Sequence, residues 1–347
     1  MDETKPEPHR RRKRYAGTHP RSFRDKYKEL NPDRYVADLA KVIARGDTPA
    51  GTHRPICVKE IMEVLSPVPG VIAVDATLGY GGHARKILDA IAPGGRLFGL
   101  DQDPLELPKT ESRLRSEGFG EKVFITRALN FSDLPRLLAE EGLPGVDIIL
   151  ADLGISSMQI DDPSRGFTYK RNGPLDMRMN PGKGTSAAEF LKRTSTEKLR
   201  TVLEKNADEP AAAAISEAIA RHKGTITTTR ALSDAIRSAF PDRANNDPET
   251  IKALQRTFQA LRIEVNGEFA ALDSLLASLP DCLNPSGRVA ILTFHSGEDG
   301  RVEKSFLQGL QMGLYSSISM DAIRPGREER YSNPRSTSAR LRWAVRA

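Results

Sequence analysis

Gly70-Val71-Ile72-Ala73-Val74-Asp75 runs directly into Ala76-Thr77-Leu78-Gly79-Tyr80-Gly81-Gly82-His83. The short apolar run closed by an acid reads as a buried strand. The glycines after it let backbone amides approach a ligand closely at the start of the next helix. Helical spacing over His83–Ile91 supplies that helix, and Pro93-Gly94-Gly95 stops it. Arg96–Asp101 (RLFGLD) is a second buried run that again ends in an acid.

Pro104–Ser116 has a proline near its start and Gly118 beyond its end, as a helix should. Lys122–Thr126 is a third strand, Ser132–Glu140 a helix, and Val146–Asp152 (VDIILAD) a fourth strand. This alternation requires a mainly parallel sheet covered on both faces, a doubly wound α/β fold. The rhythm then stops. Ile160–Gly184 is rich in Gly, Pro, Asp and Arg and reads as a long loop. Ser186–Arg193, Thr196–Lys205, Pro210–His222 and Thr229–Phe240 read as helices with no strand among them, an inserted all-helical subdomain. From Pro248, apolar residues Ile251, Leu254, Phe258, Leu261, Val265, Phe269, Leu272, Leu276 and Leu279 predict one long helix ended by Pro280 and Asn284-Pro285-Ser286-Gly287. Arg288–Phe294 resumes the sheet, Val302–Gln308 is a helix, and Ala339–Val345 is a last strand. The expected organisation is a basic, largely disordered arm over 1–51 with a short helix near Tyr35–Ala44, a discontinuous sheet domain over 52–159 and 247–347, and the insertion over 160–246.

The chain has 347 residues, 38% hydrophobic and 28% charged, enough apolar material for a packed core and too much for a wholly disordered chain. No stretch approaches the ~20 apolar residues of a membrane span. Met1–Arg14 is basic, carries Asp2, Glu3 and Glu7 and lacks an apolar run, so it reads as neither secretory signal nor transit peptide. Cys57 and Cys282 are too few for a disulfide framework or a zinc cage, and a reducing, cytoplasmic home is expected. Net charge is +6, but residues 1–30 carry +5 and residues 321–347 carry +4, leaving −3 between them. Basic ends suit a polyanion such as RNA, or serve solubility alone.

Ligands of open α/β sheets lie beyond the carboxyl ends of the strands. There this chain places the loop Asp75–His83, then Asp101 where an acid can hold ribose hydroxyls, then Asn130-Phe131 where an aromatic ring can lie against adenine, then Asp152. Gly79-x-Gly81-x-x-Ala84 also satisfies a loose dinucleotide fingerprint, so nicotinamide adenine dinucleotide and S-adenosyl-L-methionine both remain open. The acids Asp75, Asp101 and Asp152, with no conspicuous pyrophosphate-binding base, favour the cationic sulfonium.

Longer stretches are more specific. Leu150-Ala151-Asp152-Leu153-Gly154-Ile155-Ser156-Ser157-Met158-Gln159-Ile160-Asp161-Asp162 leads into Arg165-Gly166-Phe167, and Gly173-Pro174-Leu175-Asp176-Met177-Arg178-Met179 follows. With Arg256–Ile263 (RTFQALRI), Phe294-His295-Ser296 before Glu298-Asp299, and Asn333-Pro334-Arg335, they resemble the MraW (RsmH) family from about His53 to the C-terminus. The resemblance implies a class I, Rossmann-like, S-adenosyl-L-methionine-dependent methyltransferase. Its substrate would be N4 of a cytidine in 16S rRNA, within the small ribosomal subunit or a late assembly intermediate. It carries Gly81, Gly82, His83, Asp101, Phe131, Asp152 and Gln159 onto the family's cofactor contacts and calls for no metal and no membrane; a homodimer is left open. The chain departs from the pattern at Gly297 and Gly300, where the family has Leu and Arg, at Ala207-Asp208-Glu209-Pro210, at Thr250–Gln255, and in an arm longer than usual.

Exocyclic amines of cytosine are weak nucleophiles, so methyl transfer needs in-line placement and an acceptor for the amine proton. Asp152, at the end of strand four, is the first candidate, against a helix cap or a structural ligand of the cofactor, with a backbone carbonyl able to share the task. His295, at the end of strand five, is the second catalytic candidate, as a substrate contact against a structural role. Glu298 and Asp299 read as helix caps or substrate contacts. Arg165, Lys170, Arg171, Arg178 and Lys183 are candidate phosphate contacts in a loop that is otherwise simply solvated. Phe258 and Phe269 read as core, Cys57 as structural, Asp75 as a loop-fixing partner, and Tyr80 as a ring packed on or over the cofactor. Two other functions stay open: a nicotinamide-dependent oxidoreductase, and a non-catalytic ribosome-assembly factor supported only by Gly297 and Gly300.

Overall fold

The computed structural model describes residues 55–244 and 246–347; the arm and its short helix lie outside the described residues. In chain order, α1 (Val58–Leu65) precedes β1 (Ile72–Asp75), α2 (Gly82–Ile91), β2 (Arg96–Leu100), α3 (Leu107–Ser116), β3 (Phe124–Arg127), α4 (Leu134–Glu140) and β4 (Val146–Asp152). There follow α5 (Ser157–Asp161), α6 (Ala187–Arg193), α7 (Thr196–Ala207), α8 (Ala212–Arg221), α9 (Thr229–Arg237), α10 (Pro248–Asn266) and α11 (Glu268–Cys282). β5 (Leu283–Thr293), α12 (Ser296–Gln311), β6 (Tyr315–Ile318), α13 (Arg327–Ser332) and β7 (Arg340–Arg346) complete the chain.

The seven strands lie in the order β3-β2-β1-β4-β5-β7-β6. The first five are parallel, and β7 runs antiparallel to both β5 and β6. The doubly wound α/β expectation therefore holds. Val74 stands opposite Phe98 and Ile149, and with Ile291 these residues face α4, α11 and α12 in one buried cluster. Their neighbours Ala73, Leu97, Ile148 and Leu292 face α1, α2 and α3 in another. Each fully buried Leu or Ile contributes ~1.5–3 kcal/mol of transfer free energy, which is why strands covered on both faces read as unbroken apolar runs. Strand order reverses between β1 and β4, so the crevice opens where the glycine loop and Asp152 leave the sheet.

A third cluster joins Met177, Leu191, Leu203, Ile215, Ile219, Leu232 and Ile236 to Leu254, Phe258 and Leu261 of α10. The helical core thus runs past residue 246 and through α10. The single helix expected over Pro248–Leu279 is two helices. Gly267 takes the left-handed conformation (φ +60°) that commonly ends a helix, and the apolar stripe turns there from the helical core to the sheet. α11 runs two residues past Pro280 to Cys282 and stops before Asn284, within the expected stop signal. β5 starts at Leu283 rather than Arg288, with a register shift that carries Asn284–Gly287 as a bulge. Helix α12 starts at Ser296, six residues before the expected Val302; Gly297 and Gly300 in its first turns mask the helical signal. α1, β6 and α13 have no counterpart in the sequence reading. Among the described residues, no helix is long and apolar enough to cross a membrane.

Candidate active site

The turn after β1 is built by Gly81, whose φ of +65° lies in the left-handed region. A Cβ there would stand 2.9 Å from Thr110 Cγ2 and 3.0 Å from Leu114 Cδ1, so α3 closes directly over the loop. The loop is wired to the end of β2. Gly79 N–H donates to Asp101 Oδ2 (2.9 Å), Thr110 Oγ1 donates to the Gly79 carbonyl (2.5 Å), and Arg113 donates to the Tyr80 carbonyl. Thr77 Oγ1 accepts from the Asp152 N–H at 2.6 Å, which ties the end of β4 to the same loop.

Four of the sequence-predicted residues meet here. His83 is buried in the first turn of α2, with Nε2 at 3.5 Å from Asp152 Oδ2 but not aligned for a hydrogen bond, so that nitrogen has no hydrogen-bond partner among the described residues. Asp75, fully buried, fixes the loop by accepting from the Thr77 N–H (3.2 Å), as expected. Burial pushes the Asp75 carboxyl up to about 7, helped by the charges of Asp152 and Asp101 and opposed by His83. Burial likewise lifts Asp101 to about 6, against the N–H groups of Asp103 and Gly79 that hold its anion. Dehydrated acids around an unpartnered imidazole are groups that gain from a cation and from hydroxyl donors, so the residues present fit a sulfonium nucleoside.

Phe131 opens a 3-10 turn after β3, capped by Asn130, and packs half-buried beside the sheet core. Gln159 reaches the site through a residue the sequence reading missed. Its amide Nε2 donates to Asp103 Oδ2 (2.7 Å), and its Oε1 accepts from Ser156 N–H (2.9 Å) in the capping box of α5. Asp103 is wholly buried and its Oδ2 also accepts from Arg165 Nη1 at 2.8 Å. Arg165 Nη2 then donates to the carbonyls of Met179 (2.8 Å) and Arg178 (3.1 Å). The phosphate-contact expectation therefore fails for Arg165, which is buried in an ion pair. Arg178 is likewise engaged, forming a fork on Asp176 at 2.7 and 2.8 Å. Lys170 and Lys183 are exposed, and Arg171 holds the Asp161 carbonyl at 3.3 Å. Nothing in the sequence marks Asp103 except its place two residues after Asp101.

At the end of β5, His295 caps α12: its Nδ1 accepts from the Glu298 N–H (3.4 Å), and its Nε2 lies 3.1 Å from Glu298 Oε1. Burial works to raise the Glu298 carboxyl, yet His295 and Arg262 together hold it below the usual range. Phe269, expected in the core, is only half-buried and lies edge-on to the His295 ring at 5.8 Å. A Cβ on Gly297 would meet Phe269 Cζ at 2.8 Å, so the aromatic ring occupies the space that any side chain at 297 would need. Arg301 covers the same ring at 4.2 Å. Asp299 faces away from the crevice: it receives Arg342 (2.7 Å) and Arg340 (2.9 Å) from β7, which outweigh burial and hold its carboxyl low.

The strand order, the antiparallel seventh strand and this crevice of glycines and acids define a Rossmann-like methyltransferase of class I. A family model described as the MraW methylase family matches residues 50–347, and the chain belongs to that family. Relatives include "Ribosomal RNA small subunit methyltransferase H 1" of Lachnoclostridium phytofermentans, 49% identical over 98% of this chain and 93% of the relative. "Ribosomal RNA small subunit methyltransferase H 2" of Alkaliphilus metalliredigens is 49% identical over 98% of this chain and 99% of its own. "Ribosomal RNA small subunit methyltransferase H" of Granulibacter bethesdensis is 39% identical over 86% and 92%. Matches spanning 98% of the chain take in most of the arm, which is therefore not peculiar to this sequence. Membership of a methylase family does not favour the nicotinamide or non-catalytic readings.

Proposed function

We propose that this protein transfers a methyl group from S-adenosyl-L-methionine to N4 of a cytidine in 16S rRNA, within the small ribosomal subunit or a late assembly intermediate, in the cytoplasm. The observation that carries this reading is the meeting of Asp75, Asp101, His83 and Asp152 around one glycine loop in a chain of the MraW methylase family. The names of the relatives support rRNA of the small subunit as the substrate. Gly81, Gly82, His83, Asp101, Phe131, Asp152 and Gln159 are the residues that would hold the cofactor, Gln159 in concert with Asp103. When bound, the cofactor supplies an electrophilic methyl group on a cationic sulfur.

In this reading the glycine loop and Asp101 would hold the cofactor, the strand-end crevice would place the cytosine amine in line with its methyl group, and the amine would give up one proton as it is methylated. Asp152 accepts that proton; it is the partly exposed acid at the end of β4, held in place by Thr77. His295, a candidate for substrate contact, takes instead a positioning role in the wall of the same crevice through Glu298. The target base must leave its stack to reach a strand-end pocket, so a splayed or single-stranded nucleotide is required. The helical layer over residues 160–266 forms the RNA-side wall, with its boundary at Gly267. Methyl transfer from labelled cofactor to small-subunit particles, followed by nucleoside analysis, tests the proposal. Labelled N4-methylcytidine is expected; label on another base overturns the substrate, and no transfer overturns the activity.

A further inference from the structure

The segment between β6 and β7 is pinned at several points. Ile323 pairs with Leu341 through two 2.9 Å backbone hydrogen bonds, and Pro325, Ser336 and Ala339 are buried. From α13, Glu329 Oε1 accepts the Cys57 N–H at 3.0 Å. Cys57 lies in electrostatic reach of Asp152, and Pro55 packs on Gly82 of the cofactor loop. On the other side Arg335 reaches Asp161, at the end of α5, at 3.3 Å. The segment is therefore a strap across the rim of the crevice, from the glycine loop to the helix that carries Gln159.

This fixed strap shows an unusual face. Tyr331 is 92% exposed, the most exposed of the large apolar or aromatic side chains described. Arg324, Arg327 and Arg330 are exposed beside it in sequence, and their guanidinium groups have no partner among the described residues. Glu328 is the one acid of α13 not engaged with Cys57. An exposed ring on an anchored element, beside guanidinium groups that no described residue pairs, has the chemistry of a single-stranded nucleic-acid platform: bases stack on the ring and phosphates take the arginines. We propose that Tyr331, with Arg324, Arg327 and Arg330, stacks and clamps a nucleotide flanking the methylated cytidine. This rests on the reading of the protein as an rRNA methyltransferase and adds a subsite outside the cofactor crevice.

Tyr331→Ala, Tyr331→Phe and the pair Arg327→Gln/Arg330→Gln test it in the full chain. With small-subunit particles, Tyr331→Ala is expected to raise KM roughly tenfold, the effect of losing one stacked base, with cofactor affinity unchanged. Tyr331→Phe is expected to match the wild type. Wild-type KM for the Ala variant, or a Phe variant as poor as Ala, overturns the platform. Binding of a fluorescent single-stranded oligoribonucleotide, followed by anisotropy at several salt concentrations, reads the subsite without methyl transfer. There Tyr331→Ala must weaken binding, and the Arg pair must lower the salt slope by roughly 1–2. Failure of the wild type to bind the oligonucleotide overturns the proposal. So does a Tyr331→Ala defect seen with particles but absent with the oligonucleotide, which marks a contact to ribosomal protein instead. Lack of methyl transfer by the wild type, with oligonucleotide binding intact, counts against the enzymatic reading and leaves the platform standing.

Discussion

Replacing Arg165 by Met removes the cation from a pair in which neither partner sees water: the side chains of Arg165 and Asp103 are 7% and 0% exposed. Breaking such a pair from one side costs ~3–5 kcal/mol, because the remaining charge stays buried. Asp103 keeps the Gln159 amide and the Leu105 N–H, which places this case near the lower bound. The Met179 and Arg178 carbonyls lose donors as well. A loss of ~3 kcal/mol lowers the folded-to-unfolded ratio by roughly a hundredfold, readable as a shifted midpoint in urea. Asp103→Asn in the same chain removes the stranded charge. The double variant should therefore be more stable than the sum of the singles by ~1–3 kcal/mol. Singles that add to within ~0.5 kcal/mol, or Arg165→Met costing under ~1 kcal/mol, would refute the buried-pair reasoning. A second readout separates this role from a phosphate contact: a residue on RNA phosphate would lower the salt slope of RNA binding by ~1, and Arg165→Met should leave that slope unchanged.

Gly297→Leu should overpack against Phe269 and cost ~1–3 kcal/mol. Adding Phe269→Ala should return the loss, and a single Leu variant as stable as wild type sinks the packing argument. Asp152→Ala should cut turnover by ~100-fold or more while the protein stays folded; near-normal single-turnover rates remove Asp152 as the proton acceptor. Asp75 and Asp101 carry folded values of about 7 and about 6 against an ordinary 3.8, so their contribution to stability is complete below 3.8 and lost as pH rises through 6 to 7. The difference in stability between wild type and Asp75→Asn should therefore change across that window in cofactor-free protein, and a pH-independent difference contradicts it. A cationic cofactor favours the ionised acids, so its affinity should rise over the same window, as calorimetry at several pH values would show.

What was legible in the sequence was local. β1, β2 and β4 are largely apolar runs that end at an acid, so these strands, the glycine turn, Asp101 and Asp152 could all be placed from neighbours a few residues away. What was hidden depends on residues far apart in the chain. Arg165 sits in a Gly- and Pro-rich loop, where an arginine ordinarily meets water. Here the loop is folded back by Asn266, which accepts from Met179 N–H and donates to the Met177 carbonyl, and so delivers the guanidinium to Asp103. The same distinction bears on Gly297 and Gly300. Read along the chain they are losses from a family motif, and they alone supported a protein without turnover. In three dimensions Phe269 fills the volume over Gly297 and touches His295, and Arg301 lies on that ring one residue after Gly300, where a Cβ would meet open space. An aromatic ring from α11 and a guanidinium from α12 thus form the wall at this point. His295 and Glu298 keep their mutual geometry, so the altered motif is a repacked wall of a methylation site and gives no ground for reading the site as lost.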